Sequence, residues 1–274
     1  MAIGNVEFDY IRDLVRECSA LVLEPGKEYL VESRLDPLAL QEGFPSLHYL
    51  IQQLRTNSFG PLHRKVVEAM TTNETTFFRD PRVFELVRTM VLPEILKKRA
   101  DERTLNVWFA ACSNGQEPYS FAILLREHFP LVLGWKVRLI ASDISRDVLA
   151  RAQDACYTQL EINRGLPAPL LLKYFKKLNE SWQLSQEVRR MVEFLEINLV
   201  EAWPSLPRMD IIFMRNVLIY FGIDTKKNIF ARIRRLLSQD GFLLLGGSET
   251  TVYIDEAFEP VPLERPALFR LRRF

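Results

Sequence analysis

Histidine and cysteine are scarce in this chain, three of each among 274 residues, and their placement removes whole classes of chemistry. Cys18, Cys112 and Cys156 lie far apart without C-x-x-C spacing, which argues against a disulfide framework or structural zinc and fits a reducing cytoplasm. His48 and His63 fall in a helical stretch and His128 on a surface helix, so each reads as a packing or surface residue. Neither H-E-x-x-H nor G-x-S-x-G occurs, and neither the triphosphate loop G-x-x-x-x-G-K-[ST] nor the dinucleotide turn G-x-G-x-x-G is present. An excess of one charge sign is also missing: 36 Lys plus Arg face 35 Asp plus Glu, so no global field recruits nucleic acid or an anionic membrane. No apolar run approaches bilayer length, and MAIGNVEFDY lacks a basic region followed by an apolar one. These absences predict a soluble cytoplasmic protein with no metal, no nucleic-acid partner and no membrane insertion, and a monomer is expected.

What remains is 48% hydrophobic, enough for one large domain and a satellite. Apolar residues at helical spacing from Phe8 to Val22, stopped by Pro25-Gly26, predict an amphipathic helix. A second starts near Lys27, with Pro37 expected to limit or kink it. Shorter helices are expected over Ser46–Leu54 and Pro61–Met70, which makes residues 1–70 an all-helical domain. The run TTNETTFFRD, within a linker 71–81, reads by itself as a capped connection with Phe77 and Phe78 in the core and Arg79 in solvent. From 82 to 274 strands and helices alternate, starting with a long helix Arg82–Lys98. The rhythm breaks over about 162–192, where an inserted β-subdomain is expected, and Ala267–Phe274 is expected as an antiparallel edge strand.

The stretch Thr104–Ser120, TLNVWFAACSNGQEPYS, runs from a buried-type strand through a polar turn into a helix. Such a turn at a strand's carboxyl end is where α/β sheets bind nucleotides. Only Gly115 is available, and Glu117 follows it, which suits a nucleoside joined to an amino acid without phosphate: S-adenosylmethionine. The same spacing fits an ordinary strand-turn-helix equally well. Asp143, ending the strand VRLIASDI, is placed either to accept ribose hydroxyls or to cap the next helix. With no candidate general base, the chain suits a reaction that needs none. Methyl transfer from a sulfonium to a carboxylate is one, because the nucleophile is already ionised at neutral pH.

NETTFFRD, ACSNGQEPYS, ASDIS and RNVLIYF, in this order and spacing, resemble the CheR-type protein-glutamate methyltransferases that modify bacterial chemotaxis receptors. The resemblance covers nearly the whole chain and overturns the linker reading of TTNETTFFRD. It implies an α/β, class I S-adenosylmethionine-dependent methyltransferase fold: a seven-stranded, mostly parallel sheet with a small inserted β-subdomain and an all-helical N-terminal domain. It further implies that Asn73, Thr75, Arg79 and Ala111 line the cofactor pocket, Glu117 holds the methionine portion and Asp143 the ribose. Asn198 and Leu199 would flank the adenine, and Arg215 and Asn216 would close the site. Arg79 and Tyr220 become the catalytic candidates, orienting the acceptor carboxylate through a guanidinium and a phenol. The implied partners are the cytoplasmic methylation helices of chemoreceptors, met by Lys27 and Arg34. A base methyltransferase would carry a polar-Pro-Pro-aromatic loop, which is absent. A non-catalytic cofactor-binding module would not need both Arg79 and Tyr220.

The chain departs from the family pattern at three places. Its turn reads SNGQE where STGEE is usual, with the second acidic position kept as Glu117. Residues 1–70 hold seven Lys or Arg against ten Asp or Glu, so the helical domain has no broad basic face. The stretch KKLNESWQLSQEV is short and lacks glycine, unlike the loop with which some members grip a receptor's carboxyl-terminal pentapeptide. Deleting the last residues of a cognate receptor is therefore expected to leave methylation nearly unchanged at sub-saturating receptor, where a tether would raise local concentration. A large drop would show that the tail is gripped.

Overall fold

The computed structural model describes residues 3–262 and 267–272, which divide into two compact units. One ends at Thr72 and takes in Tyr220–Lys226; the other holds Asn73–Ile219 and the chain from Lys227 on.

The first unit is helical: Asn5–Ser19, Glu28–Gln41, Leu47–Thr56 and Pro61–Ala69. The opening helix buries Phe8, Ile11, Leu14 and Val15 and stops at Ala20, which turns left-handed at φ 55°. Its end is thus earlier than the apolar spacing to Val22 suggests. The next segment instead meets residues 220–221: Leu21 bridges Phe221, and the Val22 N–H donates to the Tyr220 carbonyl at 3.0 Å. The second helix continues past Pro37 to Gln41, so the proline does not end it. Val31, Leu35 and Ala39, four residues apart on one face, are all fully buried, which offsets the roughly 3 kcal/mol that an interior proline costs. Arg34 on this helix donates to the carbonyls of Met70 and Thr71 (2.9 Å for the latter) and to Thr72 Oγ1 at 2.8 Å. Burial pushes its guanidinium below the ordinary value, and the nearby Tyr220 offsets part of that shift.

The second unit is built on strands β1 (Thr104–Ala110), β2 (Lys136–Asp143), β3 (Cys156–Thr158), β4 (Phe175–Leu178), β5 (Ser181–Leu184), β6 (Val192–Glu196), β7 (Met209–Met214), β8 (Leu237–Leu245), β9 (Phe258–Pro260) and β10 (Leu268–Leu271). Seven form one sheet in the order β6-β2-β1-β7-β8-β10-β9. The pairs among β6, β2, β1, β7 and β8 are parallel, and β10 is antiparallel to both its neighbours. Every residue of β7 is buried, as expected of a central strand covered on both faces. The expected terminal edge strand is corrected: Leu268–Leu271 lies inside the sheet, and β9 closes the edge. Arg273 and Phe274 lie outside the described residues.

The inserted subdomain is a three-stranded antiparallel sheet ordered β3-β5-β4. It starts earlier than expected, because Cys156–Thr158 pairs with Ser181–Gln183 across more than twenty residues. The β4–β5 turn uses Asn179 at φ 51° in place of a glycine. Ahead of β1, the predicted long helix is interrupted by a π-turn over Val87–Val91, where the Leu92 N–H bonds the Val87 carbonyl. Pro93 explains this: it has no N–H for the Thr89 carbonyl and would clash with it, so the turn widens.

At the amino end of β7, Arg99 donates to Asp210 Oδ1 at 2.8 Å and forks onto Asp240 at 2.7 and 3.1 Å. Asp210 Oδ2 also accepts the Asn106 N–H at 2.9 Å, tying the start of β1 to β7. Burial pushes the Asp210 carboxyl up despite this pairing, whereas the Arg99 hydrogen bonds hold Asp240 below its ordinary value. The contribution of Asp240 is full above the ordinary aspartate range and is lost as pH falls through its lowered folded value. Arg99→Ala leaves Asp210 buried without its partner and is expected to cost about 3–5 kcal/mol of unfolding free energy. Denaturant titration checks this, and a loss below about 1 kcal/mol would remove the cluster from the account of stability.

Candidate active site

The strand order reverses at β1, between β2 and β7, and the crevice beyond the carboxyl ends there is where open α/β sheets bind ligands. The register puts the candidates at that edge. Ala110 pairs with Ser142 and Phe109 with Phe213, so Ala111, Asp143 and Arg215 leave the sheet at one level. The Ile197 N–H donates to the Asp143 carbonyl at 3.0 Å, which brings Asn198 and Leu199 to the same edge.

The turn after β1 is compact because Ala111, Ser113 and Gly115 are all left-handed, at φ 55°, 50° and 82°. A side chain at Gly115 would sit 3.1 Å from both Ala152 Cβ and Tyr119 Cε2, so the glycine is needed for packing as well as conformation. Asp143, buried at 6% exposure, accepts the Ser113 N–H at 3.0 Å through Oδ2 and the Ser145 N–H at 3.1 Å through Oδ1. Its carboxylate therefore shapes the turn. The helix cap is Ser145, whose Oγ accepts the Val148 N–H at 3.3 Å. Asn198 is likewise engaged locally: Oδ1 accepts from Val200 at 3.2 Å, and Nδ2 donates to Glu201 at 3.0 Å. The Leu199 carbonyl accepts from Trp203 Nε1 at 3.2 Å.

Arg215 is the charged centre of this edge, its side chain 1% exposed. It ion-pairs with Asp80 and Glu117 and donates to the Arg79 carbonyl at 3.2 Å. Glu117, expected to hold the methionine portion, is thus joined to Arg215. The stretch 73–81 folds onto this edge: Ser113 Oγ donates to the Asn73 carbonyl at 2.8 Å, and the Phe78 N–H to Ser120 Oγ at 2.9 Å. Thr75 is half-buried. Phe77 is fully buried, edge-on to Tyr157 at 4.9 Å and Phe175 at 5.6 Å. Arg79 is half-buried, with its guanidinium donating to the Glu74 carbonyl at 2.9 Å. It stands between Phe78 and Asp80, both left-handed at φ 49° and 58°, a strained backbone of the kind found at functional sites.

Tyr220 and the substrate candidates Lys27 and Arg34 belong to the helical unit. Tyr220 is half-buried and follows the loop that leaves β7. Lys27 is exposed, its Nζ 3.5 Å from the Tyr29 hydroxyl, while the Arg34 guanidinium is engaged by residues 70–72 as described. Sequence reasoning missed Asp80, Gly165 and Glu249. Gly165, at φ 106°, lies so close to Phe77 that an added Cβ would be 2.1 Å from its carbonyl oxygen; an isolated glycine after a helix-forming run was its only signal. Cys112, buried with Asp143 beside it, has its thiol pushed up and is no nucleophile at neutral pH.

S-adenosylmethionine fits these residues. Gln116 Oε1, Arg215 Nε and Asn216 Oδ1 are buried with no protein partner, two acceptors and one donor matching a ligand that carries an ammonium and a carboxylate. Among the described residues no cluster of metal-ligand type occurs.

A mostly parallel sheet reversing at β1, a one-glycine turn and these unpartnered polar atoms suit an S-adenosylmethionine-dependent methyltransferase, and similarity to known proteins places the chain in that class. The chain belongs to the CheR methyltransferase family: residues 73–266 match its SAM binding domain and residues 6–71 its all-alpha domain. It is 37% identical over 276 residues to chemotaxis protein methyltransferase 1 of Pseudomonas aeruginosa, covering 99% of this chain and 100% of that one. It is 38% identical over 265 residues to chemotaxis protein methyltransferase Cher2 of Pseudomonas putida, covering 95% and 96%. A chemotaxis protein methyltransferase of Vibrio anguillarum matches at 36% over 276 residues, 99% of each chain.

Gly165→Ala is expected to lower stability by at least roughly 1–3 kcal/mol through backbone strain, and to weaken cofactor binding because stretch 73–81 loses its seat. Thermal melting and product titration read the two effects. An unchanged melting temperature would show that the close approach to Phe77 is not needed.

Proposed function

We propose that this chain transfers the methyl group of S-adenosylmethionine to glutamate side chains of chemoreceptor methylation helices, in the cytoplasm and as a monomer. What carries the reading is end-to-end similarity to chemotaxis protein methyltransferases, with both family domains in the same chain. When bound, the cofactor supplies an electrophilic sulfonium methyl, which leaves a neutral thioether once the carboxylate oxygen has formed its bond. No proton needs to move, in keeping with a site edge built without histidine: His63 is bonded to the Leu54 carbonyl at 3.1 Å, and His48 to Glu7.

The protein's own part is orientation and desolvation, worth up to about 7–11 kcal/mol in favourable cases. Asn73, Thr75, Ala111, Glu117, Asp143, Asn198, Leu199, Arg215 and Asn216 hold the cofactor, and Arg79 and Tyr220 orient the acceptor carboxylate. Glu117 then shares its carboxylate between Arg215 and the ligand. On the helical unit, Lys27 is an exposed cation for docking, and Arg34 both ties residues 70–72 and contributes local positive charge.

Calorimetry is expected to show micromolar or tighter binding of S-adenosylhomocysteine, which keeps the adenosine and the amino-acid tail; no binding by folded protein would refute the assignment. Arg79→Ala and Tyr220→Phe should lower turnover far more than they lower that affinity. For Tyr220→Phe the loss is one hydrogen bond to a charged group, on the order of 1.5–3 kcal/mol or roughly ten- to a hundred-fold. Turnover within about twofold of wild type would remove Tyr220 from the mechanism.

A further inference from the structure

Glu249 follows β8 in the run Gly246-Gly247-Ser248-Glu249-Thr250 and is 7% exposed. Its Oε2 accepts the N–H groups of Gly246 at 2.6 Å and Asn216 at 2.7 Å. Its Oε1 accepts those of Val217 at 2.9 Å, Leu218 at 2.7 Å and Ile219 at 3.3 Å. Five main-chain donors thus converge on one buried carboxylate, and no lysine or arginine pairs with it among the described residues. Without it, four consecutive amides of the loop that leaves β7 would lose this acceptor, two of them in the buried residues Val217 and Leu218. Nor is the arrangement loosely packed: a Cβ at Gly246 would lie 2.7 Å from Glu249 Oε2 and 2.8 Å from Asn216 Nδ2.

The loop so held carries a residue whose conformation and chemistry both matter. Asn216 is left-handed at φ 59°, and its Oδ1 is buried without a protein partner. Glu249 fixes the Asn216 backbone while leaving that side-chain acceptor for something else. Residues 217–219, pinned by the same carboxylate, lead directly to Tyr220. We propose that Glu249 is a positioning residue for methyl transfer, setting the 216–219 loop so that Asn216 meets the cofactor in the geometry that transfer needs. The proposal rests on the reading of this site as a cofactor pocket.

The test compares wild type with Glu249→Gln, which keeps the shape but turns an amide NH₂ towards N–H donors, and with Glu249→Asp, which keeps the charge. S-adenosylhomocysteine is titrated well below the melting temperature of every variant, and kcat is measured on the same samples. Glu249→Gln should bind on the order of ten-fold more weakly and lose roughly a hundred-fold in kcat, with Glu249→Asp recovering part of both. A merely structural role would lower the melting temperature and leave the affinity of folded protein unchanged; that result would overturn the proposal. Should Glu249→Gln not fold, Gly246→Ala disturbs the same contact from outside the carboxylate, and weaker binding or unchanged binding decides as before. Wild type that fails to bind would refute the methyltransferase reading itself. Wild type that binds, beside folded variants that bind equally well, would refute only the role of Glu249.

Discussion

A buried guanidinium that joins two carboxylates and a carbonyl holds the carboxyl edge of this sheet together. Arg215 leaves β7, Glu117 starts the helix after β1, and Asp80 and Arg79 end the stretch that precedes the domain's first helix. Segments more than a hundred residues apart in sequence thereby share one charge. Removing Arg215 would leave the Glu117 carboxylate, 13% exposed, without its cation, whereas Asp80, 55% exposed, could turn to solvent. The Nε of the same arginine is buried with no protein partner, so the residue that assembles the edge also retains an unused donor there.

The same strand is anchored at its other end. Asp210 near the start of β7 is gripped by Arg99, which also forks onto Asp240 of β8. An arginine at each end of the fully buried β7 fixes the level at which the sheet stops, and with it the height of the binding edge. The conformations there are ones that ordinary loops avoid: Ala111, Ser113 and Gly115 after β1, Asn216 after β7, and Phe78 and Asp80 beside Arg79 are all left-handed. Among them, Asp143 accepts the Ser113 N–H and Glu249 the Asn216 N–H, while Arg215 donates to the Arg79 carbonyl between Phe78 and Asp80.

What could be read in the sequence was whatever a hydrophobic run ends on. Asp143, Ala111 and Arg215 each follow a strand of obvious apolar character, so their place at one edge follows from a parallel sheet. The four linked motifs carried the remaining site expectations. Contacts made by backbone were not legible. Gly165 looks like any loop glycine until Phe77 is seen against it, and Glu249 looks like a solvated turn residue until five N–H groups are seen around it. The three-residue strand Cys156–Thr158 is too short to carry a pattern, and its pairing with Ser181–Gln183 moved the start of the inserted sheet. The final strand was expected at an edge because it comes last in the chain, yet the antiparallel return of β9 covers it. Nor does sequence show that the carbonyls of Met70 and Thr71 and the Thr72 hydroxyl engage the Arg34 guanidinium.

The central claim is that the acceptor is a carboxylate and the product therefore an ester. It is tested most directly by incubating the protein with methyl-labelled S-adenosylmethionine and chemoreceptor cytoplasmic fragments, then treating the labelled receptor with mild alkali. Release of the label as methanol, with the modification mapped to glutamates of the methylation helices, is the predicted result. Label that resists alkali, or that sits on nitrogen, would contradict the account.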